Sequence, residues 1–351
     1  MKVDFLLIGQ GLAGTILSYR LLEAGYKVHL IDDAHPSSSS KVAAGLYNPV
    51  TGRKLGKTWL ADILFDEIEP FYKEMEGFLK QKILHPIGIY RPFISFEEQN
   101  EWLAKSADEQ YTGFIEKVIT GPQFPGVRDD LGGLLLKKSG YVDIKSLLKA
   151  YRSWVKKQGM LTEVRFLPGH LKRNPEGTWQ YGQLEAKNLV FTNGVQAKDS
   201  SFFNWLPFTP VKGEILTVRQ EFHSREIVNR GVFRIDMGNG LGKVGATYDN
   251  QNVDLIPTDS GKREILEKLG QLIPAKVIEV TDQQVGIRPA TIDRKPMLGK
   301  HPSEENVYIF GGLGAKGVSL APYFSKNMVE FLVRGEELQK EVNINRFFKY
   351  I

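Results

Sequence analysis

The sequence contains no cysteine. Disulfides, thiolate metal sites, redox dithiols, cysteine nucleophiles and any cofactor tethered through sulfur are therefore excluded. It also lacks an apolar run approaching the roughly 18–20 residues that cross a bilayer. Its first apolar stretch, Phe5 to Ile8, runs straight into glycines instead of a small-residue cleavage site. Neither a membrane span nor export is expected, which leaves the cytoplasm as the expected location. Charge of one sign is not concentrated: 46 Lys and Arg against 41 Asp and Glu leave a net +5 spread along the chain. Nucleic acid, which demands a gathered basic patch, is not an expected partner, whereas anionic small molecules are. The six histidines are scattered with no i, i+4 pair, so no metal site is expected. No G-x-x-x-x-G-K-[ST] occurs, which argues against an ATP-binding loop. What is present is a 351-residue chain, 42% hydrophobic and 25% charged. That suits one large globular domain or two interleaved ones of about 100–200 residues each.

The chain opens with an apolar run, Val3–Ile8, interrupted only by Asp4, that leads into Gly9-Gln10-Gly11-Leu12-Ala13-Gly14. Thr15–Ala24 then has helical periodicity, with Gly25 as its stop, and a second apolar run, Val28–Ile31, ends at Asp32-Asp33. Strand, tight turn, helix and a terminal acid 23 positions after the first glycine form a βαβ dinucleotide-binding unit. Gly9 permits the sharp turn, Gly11 lets a pyrophosphate approach the backbone beside Leu12 and Ala13, and Gly14 lets the helix pack closely on the strand. The helix N-terminus offers free N–H groups and positive dipole to phosphate, and Asp32 is placed to bond a ribose diol. Such a unit suits FAD or NAD.

The following stretch, Ser37-Ser38-Ser39-Ser40-Lys41-Val42-Ala43-Ala44-Gly45-Leu46-Tyr47-Asn48-Pro49, is polar, then small, then turn-forming. As a surface loop it needs only a helix cap. As a binding segment, its serine hydroxyls would hold phosphate, and Ala43, Ala44 and Gly45 would leave room for a flat ring against the backbone. Here the sequence resembles the D-amino-acid oxidase superfamily, which includes glycine oxidase, sarcosine oxidase and related FAD-dependent amine oxidoreductases. A second match runs from Val285-Gly286-Ile287-Arg288-Pro289 through Pro296-Met297-Leu298-Gly299 to Gly311-Gly312-Leu313-Gly314-Ala315-Lys316-Gly317-Val318 and Ala321-Pro322. It is similar to the superfamily's C-terminal signature, in which an arginine precedes proline and a glycine-rich turn opens the last long helix. With the intervening Val190-Phe191-Thr192-Asn193-Gly194 strand end, the matches cover about the whole chain. Many relatives carry histidine where this chain has Leu313.

The resemblance implies an α/β chain with a Rossmann-like, discontinuous FAD-binding domain, placed at 1–75, 140–210 and 277–351. An inserted α+β substrate domain on an antiparallel sheet would occupy 76–139 and 211–276. Noncovalently bound FAD is expected to lie along Gly9, Gly11, Leu12, Ala13, Gly14, Asp32, Asp33, Ser39, Ser40, Ala43, Ala44, Gly45 and Leu46. Thr192, Asn193 and Gly194 would continue its site, and Gly312, Gly314, Ala315, Lys316, Gly317 and Val318 would complete it. His170 or Leu171 would contact adenine. A helix N-terminus at Gly317–Val318 would favour the negative charge that a flavin gains on reduction, with Lys316 adding to it. Asp143–Gly159 reads as a helix and Val164–Leu167 and Leu189–Thr192 as strands. In the second domain Glu214–Val218, Gly231–Ile235 and Lys243–Thr247 read as strands, with a Met237–Gly240 turn. A Ser260–Ile273 helix capped by Thr258 follows. Tyr308–Phe310 reads as a strand before a Val318–Val333 helix, with Pro322 in that helix's first turn.

Arg288 is the residue to which the reaction points, because its planar fork suits bidentate capture of a carboxylate, as the matching arginine does in D-amino-acid and glycine oxidases. Tyr47, Asn48, Phe233, Arg234 and Tyr248 are the candidate pocket residues. The implied reaction is oxidation of a small amino acid or secondary amine to an imine, with hydride passing to the flavin. Dioxygen or another acceptor would then take the electrons. A flavin-dependent demethylase acting on a modified tRNA base and a non-catalytic FAD-binding protein are the alternatives.

Overall fold

The computed structural model describes residues 1–36, 38–52 and 56–351. Ser37, the first residue of the serine run, lies outside them. Two eight-stranded sheets organise the chain. The first begins as the sequence dictates: Lys2–Ile8 is a strand, Leu12–Glu23 a helix and Val28–Ile31 the next strand. Lys2–Ile8 pairs in parallel with Val28–Ile31 on one side and with Leu184–Phe191 on the other. Leu161–Thr162 extends the parallel set at one edge, and Val307–Gly311 joins Leu184–Phe191 at the other side. The apolar strands fit a sheet covered on both faces. On one face lie the helices Leu12–Glu23, Ala61–Leu79, Ile144–Lys157 and Gly317–Arg334, whose apolar residues form one core cluster with Phe5, Leu7 and Leu30. On the other, Leu6, Ile8 and Phe191 pack against Phe203, Leu206 and Phe347.

The second sheet is laid out from Val277–Arg288 through Val211–Gln220, Leu241–Gly245, Val232–Gly238 and Ile227–Arg230 to Ile89–Pro92, Gly133–Leu136 and Ile115–Ile119. Its alternating pattern sends Ile215, Phe233 and Ile235 to one face and Leu216, Val228, Val232 and Val244 to the other. The helix Asp259–Leu272 covers the latter face, and the Thr258 hydroxyl accepts from Gly261 N as expected of its cap. The turn at Met237–Gly240 is formed, with Gly238, Asn239 and Gly240 all at positive φ.

Four expectations shift. Residues 277–288, expected with the first domain, form a strand of the second sheet, pairing along the Val211–Gln220 strand over most of its length. The boundary at 75 falls inside the Ala61–Leu79 helix, whose Met75 belongs to the first core. Val164–Leu167 forms no strand: the pairing is made by Leu161–Thr162, directly after the Gly159 turn, and Val164 and Leu167 are exposed. The last helix starts at Gly317, so Pro322 sits in its second turn.

Candidate active site

A cavity of about 780 Å³ runs between the two sheets. At one end Gly9, Gln10, Gly11, Leu12 and Ala13 line it where the first strand turns into the first helix. Gly9 has φ +102°, and a Cβ there would lie 2.7 Å from Asn193 Cα. Glycine is required by both the dihedral and the space. Gly14 does not line the cavity. A Cβ on it would meet Gly9 O at 1.9 Å, so it serves the helix–strand contact instead.

Asp32 and Asp33 line the same end. Asp32 is already held: one carboxylate oxygen accepts from Gln10 N at 2.8 Å, and the other from Ala34 N and from Arg152 Nη1, each at 2.7 Å. Ser40 Oγ accepts from Leu12 N at 3.1 Å, which occupies one free donor at the helix N-terminus. Ser39 and Ser40 line the wall, followed by Ala43, Ala44, Gly45 and Leu46. Opposite them are Thr192, Asn193 and Gly194 from the end of a first-sheet strand, and Gly312, Gly314, Ala315, Gly317 and Val318 at the last strand–helix junction. Asn193 Oδ1 is buried with no partner, an orphaned acceptor in a wall of exposed backbone. A long, glycine-walled cleft with a carboxylate at one end fits a dinucleotide such as FAD.

The facing wall is the second sheet. Arg288 ends the Val277–Arg288 strand, and its guanidinium crosses the neighbouring strand at Gly213, where a Cβ would stand 2.2 Å from Nη2. Nη2 donates to Thr247 O at 3.1 Å and Nη1 to Lys212 O at 3.4 Å. Tyr248, 65% exposed, presents its ring 5.8 Å from the guanidinium carbon. Burial pushes the pKa of Arg288 down. Among the described residues no carboxylate forms an ion pair with it. The structure thus brings Arg288, Phe233 and Tyr248 together at the cavity, with Ile215, Thr247 and Asn229 beside them.

It does not bring the other candidates there. Arg234, one residue along from Phe233, projects to the opposite face by strand alternation; it donates to Phe222 O at 2.7 Å and Gln220 Oε1 at 3.2 Å and is 1% exposed. Tyr47 is 1% exposed and packs in the first core near Phe65, away from the lining. Asn48 uses its side chain on Val50 N in a local turn. His170 and Leu171 lie on a short 3-10 turn and an edge strand outside the cavity. Lys316 caps the last helix but does not line the cavity; burial and the nearby Arg294 push its pKa down, and its Nζ lies 3.4 Å from Thr51 Oγ1.

Sequence reasoning missed Arg152, Gly213 and Asn229. Gly213 had a signal: a glycine inside an apolar strand marks close approach by another group. Arg152 had none, since it is one of several basic residues on an amphipathic helix.

The sequence model of the DAO family, described as FAD dependent oxidoreductase, matches residues 4–331. A glycine oxidase of Bacillus licheniformis is 24% identical over 95% of this chain and 93% of its own. The tRNA 5-methylaminomethyl-2-thiouridine biosynthesis bifunctional protein MnmC of Idiomarina loihiensis is 22% identical over 98% of this chain, which spans 59% of that protein. The crystal structure of iminodiacetate oxidase from Chelativorans sp. BNC1 superposes with a TM-score of 0.81 at 23% identity over 98% of each chain. The fold, the glycine-walled cleft and the match over residues 4–331 lead to one conclusion: the chain belongs to the DAO family of FAD-dependent oxidoreductases, and FAD is its cofactor.

Proposed function

We propose that the protein oxidises the C–N bond of a small amino acid or secondary amine to an imine. The observation that carries this reading is Arg288, a guanidinium on the cavity wall that has lost water without gaining an anionic partner. Such a group is costly unless paired, and a substrate carboxylate completes it with two charge-assisted hydrogen bonds. Gly213 gives the fork a flat seat, and the carbonyls of Lys212 and Thr247 orient it.

In this reading Gly9, Gly11, Leu12 and Ala13 would hold the pyrophosphate, Asp32 the adenosine ribose, and Ala43–Leu46 with Gly312–Val318 the flavin ring. Bound FAD supplies the acceptor for a hydride. Arg288 fixes the carboxylate and so the direction of the Cα–H bond, the nitrogen lone pair closes the C=N bond as the hydride leaves, and Phe233 and Ile215 keep water from the reacting carbon.

The test is anaerobic flavin bleaching with glycine, sarcosine, D-amino acids and proline. With the best substrate, Arg288→Ala should lower the reduction efficiency roughly a hundredfold to ten-thousandfold, the loss of two such bonds. Arg288→Lys should not restore it, since an ammonium lacks the planar fork. Equal rates in wild type and Arg288→Ala, or equal loss with amines lacking a carboxylate, would assign Arg288 a structural role.

A further inference from the structure

Charges buried in the second sheet divide by face. Away from the cavity each has found partners: Lys212 an ion pair with Asp254 at 2.6 Å, Glu214 the Thr258 and Gln283 side chains, and Arg234 Gln220 and Phe222 O. On the cavity face two arginines have no carboxylate partner among the described residues, whereas Arg234 also stands 3.8 Å from Asp236. One is Arg288. The other is Arg91 in the Ile89–Pro92 strand, whose neighbours in sequence show its direction, since Ile89 packs in the cavity-face cluster and Tyr90 in the opposite one.

Among the described residues Arg91 Nε is buried with no partner, and the one bond the side chain makes is from Nη2 to Gly52 O at 3.3 Å. Burial pushes its pKa down to about 10. Two charged groups bear on it, Arg230 and Glu98. Both oxygens of the Glu98 carboxylate accept from Arg230 Nη1, at 2.7 and 2.9 Å, so the trio keeps one positive charge uncompensated. The carbonyl that Arg91 reaches belongs to Gly52, which lines the cavity; Arg91 itself does not, and stands directly behind that wall.

The register supplies the route. Ile227 and Val228 pair with Ile89 and Tyr90 in parallel, so Asn229 comes next beside Arg91. Asn229 is directly opposite Phe233, on the cavity face, and it lines the cavity. Its carboxamide makes no hydrogen bond among the described residues. From the Thr247 carbonyl that Arg288 touches, the sheet runs across Phe233 and Asn229 to Arg91 in three strand spacings, roughly 14 Å.

We propose that Arg91 and Asn229 form a second anion-recognition point at the far end of the substrate cleft, so that the substrate is an amino acid bearing a second anionic group remote from its clamped carboxylate. This rests on the reading of Arg288 given above. Phe233 and Ile215 line the span between the two ends, which suits an apolar or extended linker. A carboxylate and a phosphate share the required chemistry, a planar or tetrahedral oxyanion that accepts from guanidinium and carboxamide donors.

The experiment uses the holoenzyme and three series of straight-chain ligands of increasing length that cannot be oxidised: monocarboxylates, α,ω-dicarboxylates and ω-phosphonocarboxylates. Affinity is read from the perturbation of the flavin spectrum and from thermal shift. The expected result is a length optimum at which a doubly anionic ligand binds at least about tenfold more tightly than the monocarboxylate of equal length, one charge-assisted bond's contribution. Which doubly anionic series shows the larger advantage distinguishes carboxylate from phosphate. That advantage should collapse in Arg91→Gln. Should Arg91→Gln fail to fold, Asn229→Asp provides the second test: a carboxylate there should pair with Arg91 and cancel its charge, so that the doubly anionic ligands lose their advantage over monocarboxylates. A purely structural role for Asn229 would leave that advantage in place. Absence of a length optimum, or an advantage that survives both variants, overturns the second site. Failure of the Arg288 reading has a different signature, monocarboxylate affinity that does not depend on Arg288.

Discussion

The two ends of the cavity handle their polar groups in opposite ways. At the Gly9–Ala13 end, proposed above for the nucleotide, the protein has already bonded them to one another: Asp32 to Gln10 N, Ala34 N and Arg152, Ser40 to Leu12 N, and Thr192 Oγ1 to the carbonyls of Ile8 and Gly9. At the end proposed for the substrate, Arg288 and, behind the wall, Arg91 have no carboxylate partner among the described residues, and the Asn229 carboxamide makes no hydrogen bond there. Prebuilt geometry suits a ligand that is always the same, because little ordering remains to be done on binding. Unpaired charge suits a ligand that comes and goes, because each arrival relieves a desolvated cation and orients what it carries. Damage at the first end should therefore appear in folding and cofactor affinity, and damage at the second in rates.

The largest effect is expected at Gly14. A Cβ there would lie 1.9 Å from Gly9 O and 2.7 Å from Thr192 Oγ1, and a backbone oxygen in the tight strand–helix turn, held by the Thr192 hydroxyl, has little room to retreat. Gly14→Val should cost at least about 3 kcal/mol of stability and abolish FAD retention. Urea unfolding and the flavin content of the purified protein measure both. Gly213→Ala probes the other end. Its Cβ would meet Arg288 Nη2 at 2.2 Å, but that atom is the tip of a flexible side chain, so the fold survives and the clamp is displaced. Flavin-reduction efficiency should fall about a hundredfold, near one charge-assisted hydrogen bond, with FAD affinity held. Loss of FAD in Gly213→Ala would break the division between the two ends.

The same division governs what could be read in the sequence. The nucleotide end is local: Gly9, Gly11, Gly14 and Asp32 fall within one strand–helix–strand unit, where spacing along the chain fixes spacing in space. The substrate end is assembled across strands far apart in sequence, and which face a residue takes depends on register. Phe233 and Arg234 were equal candidates by sequence, yet alternation sends one to the cavity and the other to the opposite core. Arg288 was legible because a resemblance located it, whereas Gly213, its seat, became visible only through the pairing of the strands that carry them. Arg91 and Asn229 were hidden for the same reason.

A smaller effect should separate the neutral interior of the first sheet from the charged second one. His29 is 3% exposed in the Val28–Ile31 strand; Nε2 pairs with Thr162 Oγ1 at 2.8 Å and Nδ1 has no partner. Burial lowers its pKa to about 4, against 6.5 for the free side chain. The unfolded chain thus binds this proton at higher pH than the folded one does, so stability is full above about 6.5 and falls as pH drops toward 4. Between neutral pH and pH 5 the loss from this group should be roughly 2 kcal/mol. Urea midpoints of wild type and His29→Gln measured across that range should converge as pH falls; parallel curves would show that His29 takes up its proton without cost.

The smallest effect tests whether the bonds at the nucleotide end matter to the ligand or only to the protein. Arg152 reaches from the Ile144–Lys157 helix to Asp32 Oδ1 at 2.7 Å, to Asp32 O at 3.0 Å and to Gln10 Oε1 at 3.2 Å. Both side chains are mostly shielded, at 16% and 19% exposure. The ion pair fixes the carboxylate's orientation, while Gln10 N and Ala34 N hold it from two other directions. Removing one of several constraints should loosen the acceptor without destroying it. Arg152→Met, which keeps an apolar stem against the helix, should therefore weaken FAD binding by about tenfold, near 1.4 kcal/mol. Titration of apoprotein with FAD, followed by flavin fluorescence, measures it. Asp32→Asn should weaken binding by at least as much, and the double variant by less than the sum of the two, because Arg152 acts through Asp32. Additive losses would mean that Arg152 meets the cofactor directly.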